Sequence, residues 1–161
     1  DALKSLADFR GTWRRFEYKG KTKNGALVYD DYAHHPTEIK ATLQAARESF
    51  PHKKIIVVFQ PHLYSRTKLL MNEFAKSFTD ADEVVIAPIY AAREGEIPGV
   101  NSHTLAEKIR EHHAHSRSYE TEDDITQYIK THAKSGDIVF IMGAGDIYKV
   151  AEQLSISNHR F

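Results

Sequence analysis

A mostly parallel α/β domain built in three layers is the fold class that this sequence predicts, and three observations predict it. Short apolar runs alternate with segments of helical periodicity along the chain. The run at 54–59 is dense in consecutive Ile and Val, as expected of a strand covered on both faces. The connections are short and polar, and no internal repeat, low-complexity tract or linker interrupts the pattern.

Residues 13–18 and 26–30 read as two strands joined by the turn-rich Gly20-Lys21-Thr22-Lys23-Asn24-Gly25, so the sheet opens with an N-terminal antiparallel hairpin. Pro36, at a first helical position, starts a helix that places Ile39, Leu43, Ala46 and Phe50 on one face, and Pro51 stops it. The buried strand at 54–59 follows. A helix at 65–78 is expected to bury Leu69, Phe74 and Phe78, and 83–88 is the next strand. A loop through Tyr90, Arg93 and Pro98 leads to a helix capped by Ser102, with Glu107 in its early turns. A short strand near Ser118, a helix at 123–133, a strand at 137–142 and a helix after Gly145 complete the chain. Four strand-to-helix crossovers predict a right-handed, doubly wound, Rossmann-like sheet.

Composition narrows the classes. The length of 161 residues suits one domain, and 41% apolar with 27% charged residues is ordinary globular composition. Lys plus Arg and Asp plus Glu number 22 each, so no global positive field argues for nucleic acid or a membrane surface as partner. There is no apolar run of about 20 residues and no basic-then-apolar leader. Cysteine is absent, which excludes disulfides, thiolate zinc sites and cysteine nucleophiles and fits a reducing cytoplasm. Residues 2–6 read as the end of a helix whose beginning is missing, the mark of a piece of a longer protein or of a trimmed terminus.

In an open parallel sheet, ligands bind beyond the carboxyl ends of the strands. Here the residues after four strands carry chemistry: Asp30-Asp31-Tyr32-Ala33-His34-His35-Pro36, then Gln60-Pro61-His62-Leu63-Tyr64-Ser65-Arg66, then Tyr90-Ala91-Ala92-Arg93, then Gly143-Ala144-Gly145-Asp146. The first block delivers carboxylates, a Tyr and two His to a helix N-terminus, where backbone N–H groups favour anions. His34 with His35, and His112, His113 and His115, invite a metal reading. Neighbouring loop side chains do not easily face one ion, a polar helix end accounts for the second cluster, and no metal site is expected. Gly143-Ala144-Gly145 fails as a dinucleotide fingerprint, because Tyr148 occupies the third Gly position, and reads as a tight packing turn. No Gly-x-x-x-x-Gly-Lys-Ser/Thr phosphate loop occurs.

These blocks, with Arg14-Arg15-Phe16-Glu17 upstream and Ile97-Pro98-Gly99 downstream, resemble the carboxyl-terminal domain of the Mur ligases from Phe9-Arg10-Gly11 to Gly145. The resemblance implies an ATP-dependent reaction of peptidoglycan synthesis. The lactyl carboxylate of UDP-N-acetylmuramate becomes an acyl phosphate, and the amine of L-alanine displaces phosphate. It implies that Arg15 reaches the ATP phosphates, where a guanidinium can donate to phosphate oxygens. It implies that Asp31 contacts the nucleotide, through ribose hydroxyls, and that His34 and His35 shape the nucleotide pocket; Asp30 is read as a cap or turn residue.

Tyr32, His62 and Arg66 match the L-alanine pocket, with Arg66 on the substrate carboxylate and His62 positioning the amine or accepting its proton. If 62–66 is helical, His62 and Arg66 share a face. Leu63 stands where many relatives carry a second Arg, which leaves Arg66, helped by Arg93. ATP and Mg2+ would be held mainly by a central domain, and the UDP-sugar by an N-terminal one, both absent from this chain, which is then a single domain over 1–161 and inactive alone. The alternatives are the equivalent domain of a ligase that recycles a murein tripeptide, or a nucleotide-binding module without ligase chemistry.

Overall fold

The computed structural model describes residues 13–113 and 115–155; the helix end expected at 2–6 and the Phe9-Arg10-Gly11 block lie outside them. Two strands, β1 (Glu17–Lys21) and β2 (Leu27–Asp31), form the antiparallel hairpin. There follow α1 (Pro36–Ser49), β3 (Ile55–Phe59), α2 (Tyr64–Leu69), α3 (Met71–Ala75), β4 (Glu83–Ile86), α4 (Ser102–Arg110), β5 (Ser116–Ser118), α5 (Glu122–His132), β6 (Ile138–Met142) and α6 (Tyr148–Leu154). The sheet order is β1-β2-β6-β3-β4-β5, and every pairing after the hairpin is parallel.

Side chains alternate across the pleat, so one strand feeds two cores. Val57, Phe59, Val84, Ile86, Phe140 and Met142 pack under α1, α3 and α4, against Ile39, Leu43, Phe74, Leu105 and Ile109. Ile56, Val58, Val85, Val139 and Ile141 face α5 and α6, against Ile125, Ile129, Val150 and Leu154. This is the expected three-layer, mostly parallel fold. All five residues of β3 and of β6 are buried, which is why those segments are apolar without alternation.

Four expectations change. The first strand begins at Glu17 rather than residue 13, because Arg14 and Phe16 hold left-handed backbone (φ 53° and 48°) that an extended strand cannot include. The helix expected at 65–78 is two short helices broken at Leu70 (φ −106°, ψ 19°). The break turns Phe74 and Phe78 into the core and leaves Leu69 80% exposed rather than buried. The cap of α4 is Asn101, whose side chain accepts the Thr104 N–H while the Thr104 hydroxyl oxygen accepts the Asn101 N–H; Ser102 is the first helical residue. Among the described residues no helix is long and apolar enough to cross a membrane.

Candidate functional site

Register brings the carboxyl ends of four strands side by side. Asp31 of β2 pairs with Met142 of β6, Met142 with Phe59 of β3, and Phe59 with Ile86 of β4, so the loops that follow leave from one edge. Along that edge runs a row of rings. The Arg15 guanidinium lies 5.6 Å from the Tyr32 ring centre. Tyr32 meets His34 edge-on at 5.3 Å, His34 lies 6.1 Å from His62, and His62 stacks on Tyr90 at 5.5 Å and 19°.

The two arginines of the first block diverge. Arg14 is 3% exposed and pairs with Asp30 at 2.8 Å, while it also donates to the Gly143 carbonyl at 2.6 Å. Its guanidinium lies within 5.0 Å of the Tyr148 ring centre and 5.3 Å of Tyr32. Arg15 stays 48% exposed, with the Glu38 carboxylate 3.8 Å away. Arg14 is the residue that the sequence did not single out. Two adjacent arginines do not disclose which one a distant Asp and a distant carbonyl will bury.

Asp30 is therefore not a cap. It is the buried partner of Arg14, and burial pushes its carboxyl pKa up against the pull of that guanidinium. The cap of α1 is His35, whose Nδ1 accepts the Thr37 N–H while Glu38 accepts the His35 N–H. Asp31 is 3% exposed, and its carboxylate accepts the Phe16 and Ala33 N–H groups, each at 2.8 Å. This ties the entry of β1 to the exit of β2. Each oxygen keeps further lone pairs beyond these bonds, so the bracket also fixes in place the carboxylate that the family resemblance assigns to the ribose hydroxyls.

His34 keeps its Nδ1 3.1 Å from the Tyr32 carbonyl and 3.4 Å from Glu38. Its neighbour His35 is exposed.

His62 is not helical. It forms a parallel bridge with Tyr90, and Leu63, at φ 71°, turns the chain into α2. The four-residue helical spacing expected for His62 and Arg66 does not exist, yet the Arg66 charge is near enough to act on the imidazole. Burial first, then the charges of Arg66 and His34, lower the His62 pKa against the opposing pull of Glu94. His62 Nδ1 and Arg66 Nη1 are both buried without a hydrogen-bond partner. Two unsatisfied nitrogens, a guanidinium donor and an imidazole nitrogen that donates or accepts according to its tautomer, together create a demand for a polar ligand, with an acceptor such as a carboxylate at Arg66. Arg93 is exposed on the loop after β4.

Gln60, buried at the end of β3, was also missed. Its amide donates to Asp146 at 3.1 Å and accepts the Ile147 N–H at 3.2 Å, joining two loops of the edge. The glycines beside it fit the packing turn. A Cβ at Gly145 would collide with Gln60 Oε1, and one at Gly143 would lie 3.0 Å from the Gln60 carbonyl oxygen. Among the described residues no three His, Cys, Asp or Glu converge as a metal site.

The family model described as Mur ligase, glutamate ligase domain matches residues 14–145. The chain is 51% identical, over 94% of its length, to a UDP-N-acetylmuramate--L-alanine ligase of Clostridium botulinum, of which it covers 33%. It is 53% identical, over 92% of its length, to the enzyme of that name from Lachnospira eligens, covering 32% of it. It thus spans about a third of the curated relatives it matches.

Among solved structures it resembles the UDP-N-acetylmuramate-alanine ligase of Thermotoga maritima, with TM-score 0.75 and 29% identity, over 94% of this chain and 31% of that one. A murein peptide ligase from Psychrobacter arcticus gives TM-score 0.74 and 28% identity, over 95% and 31%. A domain of a Haemophilus ducreyi ligase named for UDP-N-acetylmuramate and an L-alanyl-gamma-D-glutamyl peptide gives 0.66 and 30%, over 87% of this chain and 96% of that one. With the predicted blocks on one edge of the predicted sheet, and a family match from Arg14 to Gly145, this chain belongs to the Mur ligase glutamate ligase domain family.

Proposed function

We propose that this chain is the carboxyl-terminal, amino-acid-binding domain of a cytoplasmic, ATP-dependent ligase that joins L-alanine to the lactyl carboxylate of UDP-N-acetylmuramate. The observation that carries the reading is the pair of buried, unpartnered nitrogens on His62 and Arg66, beside a row of rings that ends at Arg15. The names of the relatives supply the substrates.

ATP activates the lactyl carboxylate by phosphorylating it. This chain's fit to that nucleotide rests on Arg15, an exposed guanidinium at the edge that can donate bidentately to phosphate oxygens. The chain spans about a third of its relatives, and in the complete ligase a central domain would hold Mg2+ and most of the ATP contacts and an N-terminal domain the UDP-sugar. His34, between Tyr32 and His62, is assigned with His35 to the nucleotide wall, and His35 also fixes the start of α1.

Arg66 grips the substrate carboxylate, with Arg93 as a second, exposed cation. Tyr32 closes the side toward Arg15. The depressed pKa of His62 leaves a neutral imidazole near pH 7, and that form can take a proton from the incoming ammonium so that the amine becomes nucleophilic.

Phosphate release by the complete ligase tests the reading. L-alanine-dependent release from the complete enzyme, with none from the 161-residue chain alone, is expected. Turnover by the isolated chain would refute it. The near-equal likeness to a murein peptide ligase favours a second reading, in which the acceptor substrate is a murein peptide. Comparing kcat/KM for L-alanine and for the tripeptide decides between them.

A further inference from the structure

The side chains of His62 and Arg66 leave nitrogens without partners, so their own bonds cannot fix where those nitrogens point. Placement must come from the backbone that carries them. That backbone is tied to the loop after β4 at both ends. At one end the Tyr90 N–H donates to the Pro61 carbonyl at 2.8 Å, the Leu63 N–H donates to the Tyr90 carbonyl at 2.9 Å, and the His62 ring stacks on Tyr90. At the other end the Ser65 N–H and hydroxyl both donate to Glu94, the N–H at 2.9 Å.

The second tie answers a local deficit. Leu63, which precedes α2, has no polar side-chain atom to offer a free N–H, and it holds left-handed backbone at φ 71°. A carboxylate reaching in from 29 residues away does what a Ser or Asp at position 63 would otherwise do. The Ser65 bonds hold the Glu94 carboxyl below its ordinary pKa, so it is ionised at neutral pH, and its charge also acts on His62.

We infer that Glu94 is a positioning residue for the amino-acid site: by clamping Ser65 it sets the angle at which His62 and Arg66 meet the substrate. The inference rests on the amino-acid reading of those two residues. Glu94 itself touches no reacting atom in this account.

Steady-state kinetics of the complete ligase carrying Glu94→Ala, Glu94→Gln, Ser65→Ala or Arg66→Met tests it, with Glu107→Gln on the exposed face of α4 as a control. Glu94→Ala is expected to raise the KM for L-alanine about tenfold with kcat changed less than about threefold. Glu94→Gln, which keeps one acceptor oxygen, is expected to recover part of that loss. In the 161-residue chain, whose near-complete counterpart from Haemophilus ducreyi was solved as a separate domain, hydrogen exchange at the Ser65 amide should quicken about tenfold in Glu94→Ala. An unchanged KM in Glu94→Ala, beside a raised KM in Arg66→Met, overturns the inference alone. An unchanged KM in both removes the amino-acid reading and the inference with it.

Discussion

Arg14 and Arg15 share a side chain and a peptide bond but not an environment. Arg14→Met would leave the Asp30 carboxylate buried without its cation, and the unfolding free energy is expected to fall by about 3–5 kcal/mol. Arg15→Met should change it by no more than about 0.5 kcal/mol, because the side chain is half exposed and its ion pair is loose. Urea denaturation of the two variants checks the contrast. The sequence made the presence of cations here legible, but their division of labour depended on Gly143, 129 residues away. The same holds for Asp30 and Asp31, adjacent carboxylates whose partners lie elsewhere in the chain. One is the partner of a buried guanidinium, the other a bracket for the Phe16 and Ala33 N–H groups.

Elements were legible where burial alone decides them. The runs of β3 and β6 carry their own signal, since a strand covered on both faces has no polar side to show. Phe140 of β6 packs against Tyr29 and Phe16 at ring distances of 5.2 and 4.9 Å, so Phe140→Ala should cost about 3–5 kcal/mol, measurable in the same urea titration. Elements were misread where a bond from elsewhere decides them. The left-handed residues before β1 and the break at Leu70 follow from tertiary packing, which no window of sequence contains.

The opposite edge of the sheet makes a pH prediction. Glu83, at the start of β4, is 5% exposed and accepts bonds from Lys54, at 2.7 Å, and from the Tyr128 hydroxyl. Burial works against its ionisation, but those bonds and the charges of Lys54 and Arg117 outweigh it and lower the pKa from 4.5. A lowered carboxyl pKa contributes stability above its unfolded value that is lost as pH falls through the folded value. Stability should therefore decline below about pH 4.5, and Glu83→Gln should flatten that decline while lowering stability at pH 7 by about 1–3 kcal/mol. Thermal melts across pH 3 to 7 check both signs.

For the whole molecule, strand order turns scattered motifs into a site. With β6 between β2 and β3, blocks separated by most of the chain stand on adjacent strand ends, and the sequence showed the blocks without showing that order. In the proposed ligase this edge divides into a phosphate end at Arg15 and an amino-acid end at Arg66. In the complete ligase, Arg66→Met should raise the KM for L-alanine about 10- to 100-fold, the scale of lost charge-assisted hydrogen bonds, and leave acyl phosphate formation nearly intact. Arg15→Met should slow acyl phosphate formation and leave the L-alanine KM within about threefold. The most direct measurement is that pair of constants for both variants: opposite defects support the division, and identical defects contradict it.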